Sequence, residues 1–170
     1  MKGLEELVFI SEIVLQSKIA QHAADRLQAT QDQFDQIEVW CSIQSILVAA
    51  GNVSKILWAP HKKYETLGQK LRKLLNVDKN ILLSDRKFRN HFEHYDERIE
   101  DWFKNQSSVV YRDLSINPFK SIWGNFPVFN HRAYNPLNNT LTFRSESLDL
   151  DAVLNALKEI RVKCGPFALP

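Results

Sequence analysis

Glycine and cysteine are scarce in this 170-residue chain, with five of the first and two of the second, and each shortage removes a class of chemistry. The glycines form no phosphate-cradling loop and no Gly-x-Ser-x-Gly elbow, which excludes conventional nucleotide hydrolysis and serine hydrolase chemistry. Cys41 and Cys164 stand far apart, match no zinc or redox spacing and lie in no Cys-His nucleophile context. They read as reduced core residues, which favours a cytoplasmic protein. Glu5 and Glu6 occupy positions where a secretion signal carries basic residues, and no uninterrupted apolar run approaches membrane-spanning length. The expectation is therefore a chain without a membrane partner. Hydrophobic residues make up 44% and aromatics 11%, enough for one domain over residues 1–170 with its own core.

The net charge of +2 hides an uneven distribution. Residues 1–54 carry 3 basic and 7 acidic side chains, residues 55–89 carry 10 and 3, and the remaining 81 carry 9 and 10. The positive excess would draw an anionic partner to the middle third. The plainer alternative makes Lys62, Lys63, Lys70, Arg72, Lys73 and Lys79 the solvated face of a short helix and loop.

Hydrophobic periodicity predicts a mainly α chain. A first long helix covers residues 4 to about 29, with apolar positions at Leu4, Val8, Leu15, Ile19, Ala23 and Leu27. A second, central helix includes Phe34, Ile37, Trp40, Cys41, Leu47 and Val48 and ends before Ala59-Pro60, because the residue preceding a proline is pushed out of the α region. A third runs from about Tyr64 to Leu75. The fourth is predicted as one helix, capped by Ser84 with Asp85 in its first turn and reaching about Lys104. Its core stripe is Phe88, Phe92, Tyr95, Ile99, Trp102 and Phe103. Ser107 to Arg112 and Ala133 to Phe143, with Pro136 and Asn138-Asn139 for the turn, predict a small β-hairpin in an insertion or extension at about 107–146. Asn117 to Asn130 reads as an ordered aromatic-rich loop. A last helix spans about Asp149 to Lys163 and is stopped by Gly165-Pro166.

The chemistry-bearing stretch is Arg89-Asn90-His91-Phe92-Glu93-His94 on the fourth helix. A spacing of four turns a helical side chain by about 40°, so Asn90 and His94 share a face; a spacing of five turns it by about 140°, so Arg89 projects away from His94 and toward Glu93. The dull reading of Arg89 is an ion pair with Glu93. His91, His94 and Arg98 line one flank of the apolar stripe. An imidazole titrating near neutrality can take a proton from one oxygen and return it to another without a metal, and a guanidinium suits a phosphate. Substrate-binding candidates are His91 and Arg98 from this flank, with Lys73, Arg86 and Lys87 from the basic segment.

Arg89, Asn90 and His94 reproduce the Arg-Asn, three residues, His signature, and on these residues the chain resembles the HEPN family, helical bundles often found as RNA-cleaving toxins or nucleotide-binding modules. The resemblance covers the motif helix and loosely the helices before it, and it implies a HEPN-like antiparallel bundle of four to five helices. It also implies a homodimer in which two motif helices face one cleft, RNA or a nucleotide as ligand, and a protein antitoxin as a further partner. As implied catalytic residues, His94 handles protons, Arg89 stabilises the phosphate and Asn90 positions His94 or the substrate, with no metal or other cofactor. Some members carry a tyrosine two residues after the histidine, an antitoxin modification site; here that position is Asp96, and Tyr95 belongs to the apolar stripe. A non-catalytic HEPN-like module binding a nucleotide, RNA or protein partner is the alternative.

Two other chemistries compete for these residues and for the tail. His91, Glu93 and His94 are close enough to hold a divalent ion but lack the His-Glu-x-x-His zinc spacing. Trp123, Phe126, Phe129, His131 and Tyr134 are either a stacking platform for bases or the tail's own core.

Overall fold

The computed structural model describes residues 3–30, 35–85, 87–105, 111–116, 130–144 and 146–167, without the side chains of Phe88 and Arg89. Phe34, Arg86, most of Ser107 to Arg112 and nearly all of the aromatic-rich loop, Trp123, Phe126 and Phe129 included, lie outside the described residues. The chain divides into two compact units, one formed by Met1–Arg86 with Ala152–Pro170 and the other by Lys87–Asp151.

The first unit is helical. α1 (Leu4–Ala29) and α2 (Gln36–Leu57) form a helical hairpin. Asp35 caps α2 by accepting from the backbone N–H groups of Ile37 and Glu38 at 2.9 and 3.1 Å. The Arg26–Glu38 ion pair at 2.9 Å, and the bond from Asn52 to Gln16 at 3.2 Å, fix the antiparallel register of the two helices. α2 is the central helix, with Ile43, Ile46, Ala49, Val53 and Leu57 fully buried. It is also long and apolar enough by composition to cross a membrane, but 61% of the qualifying window is buried inside the protein, as befits a core helix.

α3 (Lys62–Leu74) follows the proline. Its Gly68 lies where a Cβ would stand 2.6 Å from the Leu57 carbonyl oxygen, so the absence of a side chain is what lets α3 approach the end of α2. The helix stops because Asn76 takes a left-handed φ of 50°, which returns Val77 N–H to the Arg72 carbonyl at 2.8 Å and Asn76 N–H to that of Lys73 at 3.3 Å. After the crossing into the second unit and back, α6 (Leu150–Cys164) buries Val153, Leu157, Ile160 and Cys164. Lys163 near its end donates to the Asn76 carbonyl at 2.6 Å.

The second unit combines two short helices with a four-stranded sheet. The single fourth helix expected from the sequence is interrupted: a 3₁₀ turn at Leu82–Ser84 precedes it, α4 covers Lys87–Glu93, His94 is a turn residue, and α5 covers Tyr95–Asn105. Ser84 belongs to the 3₁₀ turn and bonds back to the Ile81 carbonyl, so it does not cap α4. The expected apolar stripe is realised in part, with Trp102 buried, Phe92 and Ile99 half-buried, and Tyr95 and Phe103 exposed.

The expected hairpin is present as β2 (Arg132–Asn135) against β3 (Thr140–Phe143), but it belongs to a larger, mixed sheet. β1 (Ser115–Ile116) joins β2 in parallel, and β4 (Glu146–Asp149) joins β3 antiparallel, in the order β1-β2-β3-β4. Asn139 at φ 49° supplies the left-handed residue that the β2–β3 turn needs. Leu141 and Phe143 on β3 and Tyr134 on β2 are buried. Of the two cysteines, only Cys164 is a core residue; Cys41 is exposed, and both are free thiols.

Candidate functional site

The motif occupies α4 and the turn after it. His94 N–H bonds to the Asn90 carbonyl at 3.0 Å and Arg98 N–H to the His94 carbonyl at 3.2 Å, so helical hydrogen bonding carries through the interruption at His94 itself. The His94 ring is 53% exposed, with Nδ1 3.6 Å from a carboxylate oxygen of the still more exposed Glu97. Such a contact is loose and solvent-screened, and it leaves the ring accessible to a solute. Asn90, one helical turn earlier, is half-buried. The Arg89 backbone belongs to α4, and its guanidinium lies outside the described atoms.

His91 has a different environment. Its ring is buried and stacked face to face on Phe143, with centroids 4.3 Å apart and planes 6° from parallel. Its Nε2 is 3.1 Å from Glu146, whose other carboxylate oxygen meets Lys87 Nζ at 2.9 Å. Hydrogen bonding from Lys87 first, and from His91 after it, holds the Glu146 carboxyl below its ordinary range against the opposing effect of burial. Two of the residues expected to bind substrate are thus joined through one carboxylate from β4. Arg98 is half-buried; its carbonyl accepts from the Arg144 guanidinium, and its own Nε has no hydrogen-bond partner among the described residues. Lys73 stands exposed on α3 in the helical unit.

The sequence reading missed a second polar centre behind the motif helix. Asp113 grips Arg132 through two bonds, Nε to Oδ1 at 2.9 Å and Nη2 to Oδ2 at 2.6 Å, and also accepts from the Tyr111 hydroxyl at 3.2 Å. The Arg132 guanidinium lies 5.8 Å from the Phe92 ring centroid and 5.7 Å from that of Tyr95, so this ion pair also holds the sheet against α4 and α5. Burial works to raise the Asp113 pKa, but the bonds and charge of Arg132 outweigh it and leave the carboxyl below its usual value. Burial pushes the Tyr111 hydroxyl up to about 12.

His131 is fully buried, edge-on to Phe143 at 4.8 Å and tilted to Tyr111 at 5.7 Å, and neither ring nitrogen has a hydrogen-bond partner among the described residues. Burial lowers its pKa, with the Asp113 charge opposing. Tyr134 is also buried, so these two members of the proposed stacking platform belong to the interior of their unit. Asp113 and Arg132 are 19 positions apart and Glu146 is 55 beyond His91, separations at which no periodicity signals a contact.

Among the described residues no group of three His, Cys, Asp or Glu side chains is placed to hold a metal, so His91, Glu93 and His94 do not assemble as ligands. No family model, no curated protein and no solved structure matches this chain.

Proposed function

We propose that this chain is a HEPN-like RNA-binding protein that acts in the cytoplasm as a metal-independent, toxin-like endoribonuclease. The observation that carries the reading is the contrast between the two neighbouring histidines. His91 is built into the interior through Phe143 and Glu146, whereas His94 stands accessible at the end of α4, one turn from Asn90. An exposed imidazole has both a donor and an acceptor nitrogen open to a bound substrate and can exchange protons with it. In the proposed reaction His94 takes the proton of a ribose 2′-hydroxyl and the freed oxygen attacks the adjacent phosphorus. The bond to the 5′-oxygen then breaks and His94 returns to that oxygen the proton it took, leaving a 2′,3′-cyclic phosphate. Arg89 balances the charge of the crowded phosphate and Asn90 orients His94 or the ribose.

The test is RNA cleavage in excess chelator. Wild type should cleave, and Arg89→Ala and His94→Ala should each lower the rate by about 100-fold or more, the usual yield of a positioned proton carrier or charge stabiliser, with the circular dichroism unchanged. Cleavage that survives both substitutions rejects the site.

A second reading, a non-catalytic module that holds a nucleotide, RNA or protein partner, draws support from Glu146, which pairs with Lys87 and bonds His91 and so leaves fewer groups beside the motif for a transition state. It predicts RNA retention without cleavage, equal in wild type and His94→Ala.

A further inference from the structure

α1 is apolar on two sides. Its inward side buries Ile10, Ile13, Ala20, Ala23 and Leu27. Leu4, Val8, Leu15 and Ile19 are 58, 54, 49 and 41% exposed. At 100° per residue these four fall in an arc of about 60°, centred about 140° round the helix from the buried set. Their line continues through polar positions, and Val8, Glu12, Leu15, Ile19, His22 and Arg26 follow one another at spacings of four, three, four, three and four, the seam of a heptad repeat. Beside it α2 exposes Ile37, Cys41 and Val48, and an open groove lined by Gln16, Ile19, Cys41, Gln44, Val48 and Asn52 joins the two helices into one surface.

We propose that this face of the α1–α2 hairpin binds a second copy of the same chain, with the two α1 helices antiparallel about a twofold axis between Leu15 and Ile19. Charge order selects the occupant and its direction. The seam is acidic toward its start, at Glu12, and basic toward its end, at His22, the Arg26 beyond it being already paired with Glu38. An antiparallel partner about that axis sets Glu12 of each copy against His22 of the other, while a parallel one sets Glu12 against Glu12. The area suffices as well. A 26-residue helix is about 39 Å long, and two helices about 9 Å apart present a strip about 18 Å wide, or about 700 Å² per copy, close to the roughly 800 Å² per partner of a stable interface. The surface lies on the first helical unit and is distinct from the motif-to-motif contact that the family resemblance implies. It does not depend on the RNA reading.

Light scattering and sedimentation over a concentration series test it. The full chain should be a dimer. Leu15→Glu and Ile19→Glu should each give a monomer with unchanged helical circular dichroism, because both side chains are already in solvent. Glu12→Arg should weaken association by about tenfold or more, and adding His22→Glu should restore it, because the reversed pair again attracts. A wild-type monomer at about 100 μM, where even a weak interface fills, overturns the proposal, as does a dimer unmoved by the two glutamates. Failure of His22→Glu to rescue overturns the antiparallel register. Ribonuclease activity enters none of these readouts, so their failure leaves the RNA reading to its own test.

Discussion

Among the described residues, His131 is one that couples the fold to pH. Its ring is fully buried and its nitrogens have no hydrogen-bond partner among the described residues, so the neutral form is favoured and the pKa sits below the ordinary 6.5. The unfolded chain takes up a proton near pH 6.5 and the folded chain only at lower pH. Stability therefore falls as the pH drops below about 6.5 and is insensitive to this group above it. Asp113 and Glu146 have depressed pKa values, and their contribution is present above the ordinary carboxylate range and lost only as pH falls below it, which separates the two windows. His131→Phe should flatten the stability profile just below about pH 6.5, and at pH 8 it should stabilise the protein by about 1 kcal/mol, because two desolvated polar atoms are replaced by apolar ones. Urea titrations of both forms across pH measure this. An unchanged slope would mean that His131 finds partners in solution. Nothing in the sequence marks this residue: it is one of five histidines, without a charged neighbour at helical or strand spacing, and its burial is decided by strand pairings between distant segments.

At the scale of elements, the limits of a sequence reading follow from the range of the forces involved. The start and end of α1 and the end of α2 before Pro60 were legible because they depend on local periodicity and on proline's steric demand. The outward position of Leu15 and Ile19 was not, since a helical period locates a helix without saying which of its apolar lines meets the core. The interruption at His94 was equally hidden, for neither glycine nor proline stands between Phe92 and Asp96. Arg132, which reaches the rings of Phe92 and Tyr95 on either side of the break, is contributed by a strand far along the chain. Of the candidate site, the shared turn of Asn90 and His94 was readable. The commitment of His91 and Lys87 to Glu146 was not, because that carboxylate comes from β4. Gly68 gives a sharp test of how closely elements meet. Gly→Ala inside a helix normally stabilises by about 1 kcal/mol. Here the added Cβ would meet the Leu57 carbonyl oxygen at 2.6 Å and that of Ile56 at 3.1 Å, both backbone atoms that cannot rotate away. Gly68→Ala should instead destabilise by about 2 kcal/mol, as overpacking does, and lower the thermal midpoint. A rise in the midpoint would show that α3 shifts freely along α2.

For the whole molecule, the order of segments matters more than their number. The second unit, Lys87–Asp151, is inserted between two parts of the first, so the helical unit is completed only when α6 returns after the sheet has been made. A chain divided in this way has two cores, one of helices around α2 and one around Phe143, Leu141, Trp102 and the Asp113–Arg132 pair. Two cores joined by two chain crossings need not melt together, and a single van't Hoff transition is then not assured. Gly68→Ala and His131→Phe separate the possibilities. If the units unfold independently, Gly68→Ala should lower only the transition that carries most of the helical circular dichroism. His131→Phe should then change, with the pH dependence described, only the transition reported by near-ultraviolet signals from Trp102 and Tyr111, which meet edge-on at 5.0 Å in the second unit. Calorimetry would give a van't Hoff enthalpy well below the calorimetric one. If both substitutions move a single, coincident transition and the two enthalpies agree, the units are one cooperative body, and the stability of the helical hairpin is then felt at His94.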